Sequence, residues 1–398
     1  GGVGIIRVSG PAARSIAQQI ARREPRPRYA HYGPFFSGEQ TLDEGITLFF
    51  PGPHSFTGED VLELQGHGGP VVMDLLLKAC LAAGARQARP GEFSERAFLN
   101  DKLDLAQAEA VADLIEATTE AAAKSASESL SGAFSKVIHE LVDQVTRLRM
   151  LVEATLDFPE EEIDFLKQSD ARGQLATIRS TLEEVFRHAA QGALLRDGLN
   201  AVLAGKPNVG KSSLLNVLAG SDVAIVTPIA GTTRDVLDAE LVIGGYAVTL
   251  SDTAGLRDSD DPVEAEGVRR ARARAEGADL RLWVRAPGDV EGVAADYVRS
   301  GDLIVANKSD LGSADIRSQG WDQIAVSSHT GAGLSELHDW IAARLERDLS
   351  GADFPAITRE RHRLRLSEAL ADVRTGLAAL EVSPEMAGDD LRRAAQAL

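Results

Sequence analysis

Residues 205–212 read Gly-Lys-Pro-Asn-Val-Gly-Lys-Ser, which fits the pattern G-x-x-x-x-G-K-[ST]. A strand-like segment at 200–204, apolar from Ala201, precedes it, and Ser-Ser-Leu-Leu-Asn-Val-Leu-Ala-Gly follows from Ser212. This predicts strand, glycine loop and helix in immediate succession, the one setting in which such a loop works. Its glycines let backbone N–H groups turn inward around a β-phosphate, and the helix start adds its positive end. Lys211 is then placed to neutralise β- and γ-oxygens, and Ser212 to offer its hydroxyl to Mg²⁺. Asn208, Val209, Gly210 and Ser213 complete the phosphate-binding set. The constraint on fold is strong, because the motif calls for a parallel, doubly wound α/β sheet around it.

Three later segments narrow the nucleotide to GTP. Asp252-Thr253-Ala254-Gly255 ends an apolar strand, where a carboxylate can hold a metal-bound water and a glycine N–H can meet the γ-phosphate. Thr232 and Thr233 follow Gly231 in a loop able to order around that phosphate, with Thr233 as a second Mg²⁺ ligand. Asn307-Lys308-Ser309-Asp310 closes the strand Leu-Ile-Val-Ala. Asp310 can accept from guanine N1–H and the 2-amino group; adenine would leave a buried carboxylate unpaired, at about 1–3 kcal/mol. Ser327-Ser328-His329 stands where Ser-Ala-Lys is usual, and the Ser328 N–H is expected to meet guanine O6.

The hydrolytic apparatus departs from the Ras pattern. Leu256 occupies the position of the water-orienting glutamine, so another group must position the attacking water. Candidates are the acids of the following loop: Asp258, Asp260, Asp261, Glu264 and Glu266. Arg234 and Arg257 lie in the two switch loops and are candidates for arginine fingers or anchors. A monovalent cation is the alternative source of positive charge. Asn208 and the carbonyls of the segment Thr227 to Thr232 are its candidate ligands.

The rest of the chain changes texture around this unit. Residues 1–100 mix short β-like runs with Gly and Pro turns and one predicted helix from Val71 to Ala83, as in an α+β domain. In that region Arg7 is expected just after a short strand and Glu63 on a strand's polar face. Residues 101–195 carry helical spacing, with Lys102 expected to open a helix; the α/β texture covers 196–348, and helical texture resumes over 349–398. The expected architecture is therefore a helical domain interrupted by an α/β insert, behind an N-terminal α+β domain.

Composition sets outer limits. The 398 residues hold 60 acidic and 42 basic side chains, a net charge of −18. That excludes a broad phosphate-binding surface and confines any RNA contact to a limited basic patch or to a partner protein. The single cysteine, Cys80, cannot form an internal disulfide, which points to a reducing, cytoplasmic setting, and it reads as a buried helix residue. His67 reads as a turn or site-lining residue, since no second ligand lies at zinc-like spacing. No apolar stretch approaches the ~18 residues of a membrane span. The absence of Met at Gly1 and of a cap at Leu398 suggests a fragment clipped at both ends.

Four blocks in the α/β region, GKPNVGKSSLLNVLAG, VTPIAGTTRD, DTAGLR and NKSD, resemble the G domain of the MnmE (TrmE) tRNA modification GTPase family. The likeness continues through FTGEDVLELQGHGGPVVMDLLLK, ARPGEFSERAFLNDKLDLAQAEAVADLI and DFPEEEIDF, and so spans nearly the whole chain. It implies a folate-binding-like N-terminal domain, a central helical domain and an inserted Ras-like P-loop G domain. It further implies GTP hydrolysis to GDP and phosphate, stimulated by K⁺, and homodimerisation through the N-terminal region. A partner carrying FAD, of the MnmG (GidA) type, would join it in a heterotetramer or larger assembly. Together they would install an aminomethyl or carboxymethylaminomethyl group on C5 of the wobble uridine of certain tRNAs, with one carbon from 5-formyl- or methylene-tetrahydrofolate. Carried over residue by residue, K⁺ falls to Asn208, Thr227, Ile229 and Thr232, and Mg²⁺ to Ser212 and Thr233. Glu264 becomes the water-positioning carboxylate beside Lys211 and Thr233, and folate falls to Arg7, Glu63 and Lys102. The family's terminal Cys-Ile-Gly-Lys motif does not occur in this sequence. The competing reading, a GTP-gated ribosome-assembly factor of the Era type without modification chemistry, would not need the FTGED and GEFSERAF blocks.

Overall fold

The computed structural model describes residues 1–157, 170–206, 208–220, 238–252, 275–288, 298–312, 321–349, 359–380 and 382–398. Two compact units emerge: Gly1–Ile115 with Ser129–Ser135, and Glu116–Glu128 with Lys136–Leu398.

The first unit is a four-stranded antiparallel sheet with helices against one face. Its strands are β1 (Val3–Ser9), β2 (His31–Ser37), β3 (Gln40–Phe50) and β4 (Val61–His67), in the order β1-β4-β3-β2. Alternation explains the two faces: Leu62 and Leu64 of β4 are fully buried, while Glu63 between them pairs in register with Arg7 of β1. Helix α1 (Ala13–Ala21) buries Ile16 and Ile20, four residues apart, and α2 (Pro70–Ala82) buries Leu76 and Cys80 on the same spacing. These four side chains meet Phe35 and Phe49 in one core. Helix α2 starts one residue earlier than expected, because Pro70 occupies its first position after an extended Gly69.

Two short helices escaped the sequence reading, α1 and α3 (Glu92–Leu99), nine and eight residues long. Elements that short complete too few turns for the period to declare itself. Helix α4 (Leu105–Glu116) starts later than expected, which leaves Lys102 in the preceding turn. The reason is a reciprocal cap: Gln107 N–H donates to Asp104 Oδ1 at 2.8 Å and Asp104 N–H to Gln107 Oε1 at 3.0 Å. Arg7 lies inside β1 rather than after it. Helix α5 (Glu120–Leu130) follows, and its two ends belong to different units.

The second unit joins long helices to a six-stranded sheet. Helix α6 (Ala133–Asp157) buries Leu141, Val145, Leu148 and Val152, and α7 (Ala171–Asp197) buries Leu175, Ile178, Leu182 and Val185. The chain then enters β5 (Leu199–Ala204), α8 (Lys211–Ala219), β6 (Asp238–Ile243), β7 (Tyr246–Asp252), β8 (Leu280–Arg285), β9 (Leu303–Ala306), β10 (Gln323–Ala325) and α9 (Leu334–Leu349). Strand order is β10-β9-β8-β5-β7-β6, parallel throughout except for the β6–β7 hairpin. All six residues of β8 are buried, as a central strand covered on both faces requires. Helices α10 (Glu360–Ala379) and α11 (Pro384–Ala397) resume the helical part, and α10 packs on both α7 and α11. The α/β sheet is thus inserted between helical segments. No described helix is long and apolar enough to cross a membrane.

Candidate functional site

The phosphate loop runs from the end of β5 to the start of α8, at the carboxyl edge of the parallel sheet. Two glycines are required there. Gly205 has φ +147° and a Cβ on it would lie 2.3 Å from the Val284 carbonyl; Gly210 has φ +95° and a Cβ would lie 2.3 Å from Asn307 Nδ2. Lys211 is only 7% exposed, and its Nζ donates to the Gly205 and Lys206 carbonyls, each at 3.0 Å. Burial lowers its pKa, against the opposing pull of the Asp252 carboxylate. A buried cation with carbonyls as its nearest acceptors is a site suited to an anion.

The neighbouring strand supplies the acid. Register sets Leu203 of β5 beside Asp252 at the end of β7, and Ser212 Oγ donates to Asp252 Oδ2 at 2.5 Å. Asp252 Oδ1 is buried and has no hydrogen-bond partner among the described residues. Hydroxyl and carboxylate oxygens side by side, one oxygen unspent, are the donor set of a hard divalent cation such as Mg²⁺.

Asn307 follows β9 and holds the site together. It is 1% exposed, and its Nδ2 donates to the Val209 and Gly210 carbonyls at 3.1 and 3.2 Å. Its Oδ1 accepts from the Ser328 N–H at 3.1 Å and the Ser328 hydroxyl at 2.9 Å. Lys308 Nζ donates to the Asn208 carbonyl at 2.7 Å. Asp310 Oδ1 accepts from Ser327 Oγ at 2.5 Å, and that bond is the first cause holding its carboxyl below the usual range. Two features bear on the expected guanine contacts. The Ser328 N–H is spent on Asn307, so it meets guanine O6 only if that bond gives way. Asp310 is exposed rather than buried, so its discrimination against adenine operates once a base covers it.

The first unit presents a second constellation. Arg7 Nε and Nη2 both donate to Glu63 Oε1, at 2.9 and 2.6 Å, with Arg7 6.0 Å from the Phe56 and Phe93 ring centres. A cavity of about 390 Å³ beside β1 has Arg7, Ser9, Arg86, Glu92 and Arg96 in its wall. Glu92 accepts from Arg86, Arg96 and the Arg89 N–H, and the Arg86 bond foremost holds its carboxyl well below the usual range. Arg96 also donates to Glu59 at 2.8 Å, Ser9 Oγ donates to Glu59 at 2.8 Å, and Asn100 donates to the Thr57 carbonyl at 2.7 Å. The FTGED and GEFSERAFLN blocks are therefore two halves of one brace. Lys102 has no hydrogen bond to Arg7 or Glu63 among the described residues; its side chain runs past Gly58, where a Cβ would stand 3.3 Å from Lys102 Cγ.

A family model described as the MnmE helical domain matches residues 105–398, and one described as the GTP-binding protein TrmE N-terminus matches residues 1–102. The tRNA modification GTPase MnmE of Pseudomonas fluorescens (strain Pf0-1) is 51% identical over 416 residues, covering all of this chain and 91% of its own. The namesake from Pseudomonas aeruginosa (strain UCBPP-PA14) is 51% identical over 420 residues with the same coverage. The chain belongs to the MnmE (TrmE) family. Among solved structures, the G domain of the T. maritima FeoB iron transporter aligns with 37% of this chain at 25% identity, with a TM-score of 0.28.

In this MnmE-family chain the structure joins Asn208, Val209, Gly210, Lys211, Ser212, Asp252, Asn307, Lys308, Asp310, Ser327 and Ser328 around one strand edge. Ser213 follows on α8, and His329 lies exposed beside Ser328. Thr227, Ile229, Thr232, Thr233, Arg234, Thr253, Ala254, Gly255, Arg257 and Glu264 lie outside the described residues. Sequence reasoning missed the bracing role of Asn307, which it took only as part of the guanine motif. It also missed Asp43, whose Oδ1 pairs with His67 Nδ1 at 2.7 Å while Oδ2 accepts the His67 N–H at 2.7 Å. No local signal announces either pairing.

Proposed function

We propose that this chain is a GTP hydrolase acting in tRNA modification. The observation that supports it most is the Ser212–Asp252 pair beside a buried Lys211, in a chain of this family. Lys211 and the loop N–H groups bind the phosphates, and Asp310 reads the guanine edge. Mg²⁺ would be held by Ser212, with Asp252 behind it and Thr233 as second ligand, and it would neutralise charge between β- and γ-phosphates. Asn307 keeps the phosphate loop and the guanine-reading loops at a fixed spacing, so binding one end of the nucleotide prepares the other.

The finer reading follows the family. K⁺ would be held by Asn208, Thr227, Ile229 and Thr232 and would supply positive charge for turnover, and Glu264 would orient the attacking water through a second water, since the γ-phosphate is itself anionic. Arg234 and Arg257 anchor the switch loops. Arg7, Glu63 and Lys102 hold a reduced folate, the guanidinium and ammonium meeting its oxygens and the carboxylate accepting pterin N–H groups. A homodimer works with an FAD-bearing MnmG-type partner on C5 of the wobble uridine. The division into residues 1–100, 101–195, 196–348 and 349–398 belongs to the same reading.

The decisive experiment removes the gene and measures wobble-uridine nucleosides in bulk tRNA by mass spectrometry. Loss of the C5-modified nucleoside is expected; an unchanged nucleoside profile would refute the modification role. Phosphate release at matched ionic strength tests the cation: it should be much faster in K⁺ than in Na⁺, and equal rates reject that assignment.

A further inference from the structure

Residues 22–32 read Arg-Arg-Glu-Pro-Arg-Pro-Arg-Tyr-Ala-His-Tyr. Four arginines and one glutamate in that span stand out in a chain whose net charge is −18. Arg22, Arg23, Arg26 and Arg28 are all exposed. Two of the chain's four tyrosines lie here as well, Tyr29 at 54% and Tyr32 at 68% exposure.

The segment is held rigidly. Pro25 is buried, Pro27 bridges Phe49, and the Arg28 N–H donates to the Phe49 carbonyl at 2.8 Å while its guanidinium donates to the His54 carbonyl. Arg22 lies 4.1 Å above the Phe36 ring and donates to the Gly38 carbonyl at 2.7 Å. Tyr29 and His31 form a ring pair with centres 4.6 Å apart, with Arg26 5.9 Å over Tyr29 and Arg23 3.2 Å from His31 Nδ1. Desolvation, then Arg23 and Arg26, push the His31 pKa down. The acids nearby are already engaged: Glu24 with Arg14 and Gln18, Glu39 with Arg22, and Glu44 with Tyr32.

Solvated arginines alone would need no explanation. An exposed tyrosine ring, held in a tilted pair with a half-buried histidine and flanked by exposed arginines, is what single-stranded nucleic acid uses: phosphates track the cations and a base stacks on the ring. An acidic protein surface would use the charges and leave the rings idle. We propose that residues 22–32 dock a single-stranded RNA loop, with phosphates against Arg23 and Arg26 and an unpaired base on the Tyr29 ring. Identification of that RNA as a tRNA anticodon loop rests on the modification reading above.

The test uses the whole chain and a fluorescein-labelled 17-nucleotide anticodon stem–loop, with a blunt RNA duplex as control, titrated by anisotropy across salt concentrations. The stem–loop should bind more tightly than the duplex. Arg23→Glu with Arg26→Glu should weaken binding at least about tenfold and flatten the salt slope by about 1.4, at ~0.7 per phosphate contact. Tyr29→Ala should weaken it about tenfold with the slope unchanged. GTP hydrolysis within about twofold of wild type in every variant shows that the fold is kept. Wild-type affinity in both variants, equal affinity for duplex, or no binding of the stem–loop overturns the proposal. So does binding of polyglutamate that is lost with the arginines but kept in Tyr29→Ala, which assigns the patch to an acidic partner. Failure of the modification role shows separately, as unchanged wobble nucleosides alongside intact RNA binding.

Discussion

Replacing Asn307 with alanine removes four hydrogen bonds from a site where the side chain is 1% exposed. Each such bond is worth about 0.5–1.5 kcal/mol net, and buried groups left behind add to the cost where water cannot reach them. Some relaxation follows, so the total loss is about 3 kcal/mol. It is divided between the fold and the nucleotide site, because the same bonds tie the phosphate loop to the loops at 307–310 and 327–329. If all of it fell on binding, GTP affinity would drop about 150-fold. The measurement is paired: urea unfolding without nucleotide gives one share, and titration with a fluorescent GTP analogue gives the other. Asn307→Asp separates the two halves of the brace. It keeps an acceptor for Ser328 but sets a carboxylate against the Val209 and Gly210 carbonyls, so its GTP affinity should fall at least as far as in Asn307→Ala. Combined losses below about 1 kcal/mol in Asn307→Ala, or wild-type affinity in Asn307→Asp, would refute the bracing argument.

Other outcomes follow from the same structure. The bond from Ser327 stabilises ionised Asp310, whose folded pKa is thereby lowered; that contribution is present above the ordinary value of 3.8 and is lost as pH falls through the lowered one. Ser327→Ala should therefore melt below wild type at pH 7, and the gap should shrink under acid; a gap independent of pH rejects the linkage. In the α/β sheet Arg281 and Asp302 pair at 2.9 Å, each about 6% exposed, with Trp283 Nε1 donating to the same carboxylate at 3.0 Å. Asp302→Ala strands a buried guanidinium and should cost about 3–5 kcal/mol by denaturant titration, whereas a loss under 1 kcal/mol would show that Arg281 finds water instead. Burial pushes the Cys80 thiol up to about 11, so the folded chain should resist a thiol-specific disulfide reagent at pH 8 and react only in denaturant; fast reaction in buffer contradicts its place in the core.

How far the site was legible depended on sequence distance. Gly205, Gly210, Lys211 and Ser212 act within one strand–loop–helix passage, and their spacing carries the geometry. Asp252 and Asn307 were found because each ends an apolar run, which marks a strand's carboxyl edge. The partner of each was hidden, since Ser212 meets Asp252 across 40 positions and Asn307 meets Val209 across 98. The helices at Ala13–Ala21 and Glu92–Leu99 were missed because too few turns were available to show a period. The start of the helix at Leu105 turned on a reciprocal Asp104–Gln107 cap that the helical texture around it concealed.

Sequence alone determined the phosphate loop, the guanine motif, the interrupted helical arrangement and the family, all of which reside in contiguous residues whose order is their information. Only the tertiary structure decided that Asn307 is a brace, that Arg7 and Glu63 face each other, and that FTGED and GEFSERAFLN lock together. It also set Arg26 over Tyr29 and Arg23 beside His31, residues that in sequence sit among turn-forming prolines. The physical reason is common to all of these. A hydrogen bond or a ring contact needs atoms within a few ångströms, and only the folded backbone, through strand register, helix packing and local turns, sets those distances.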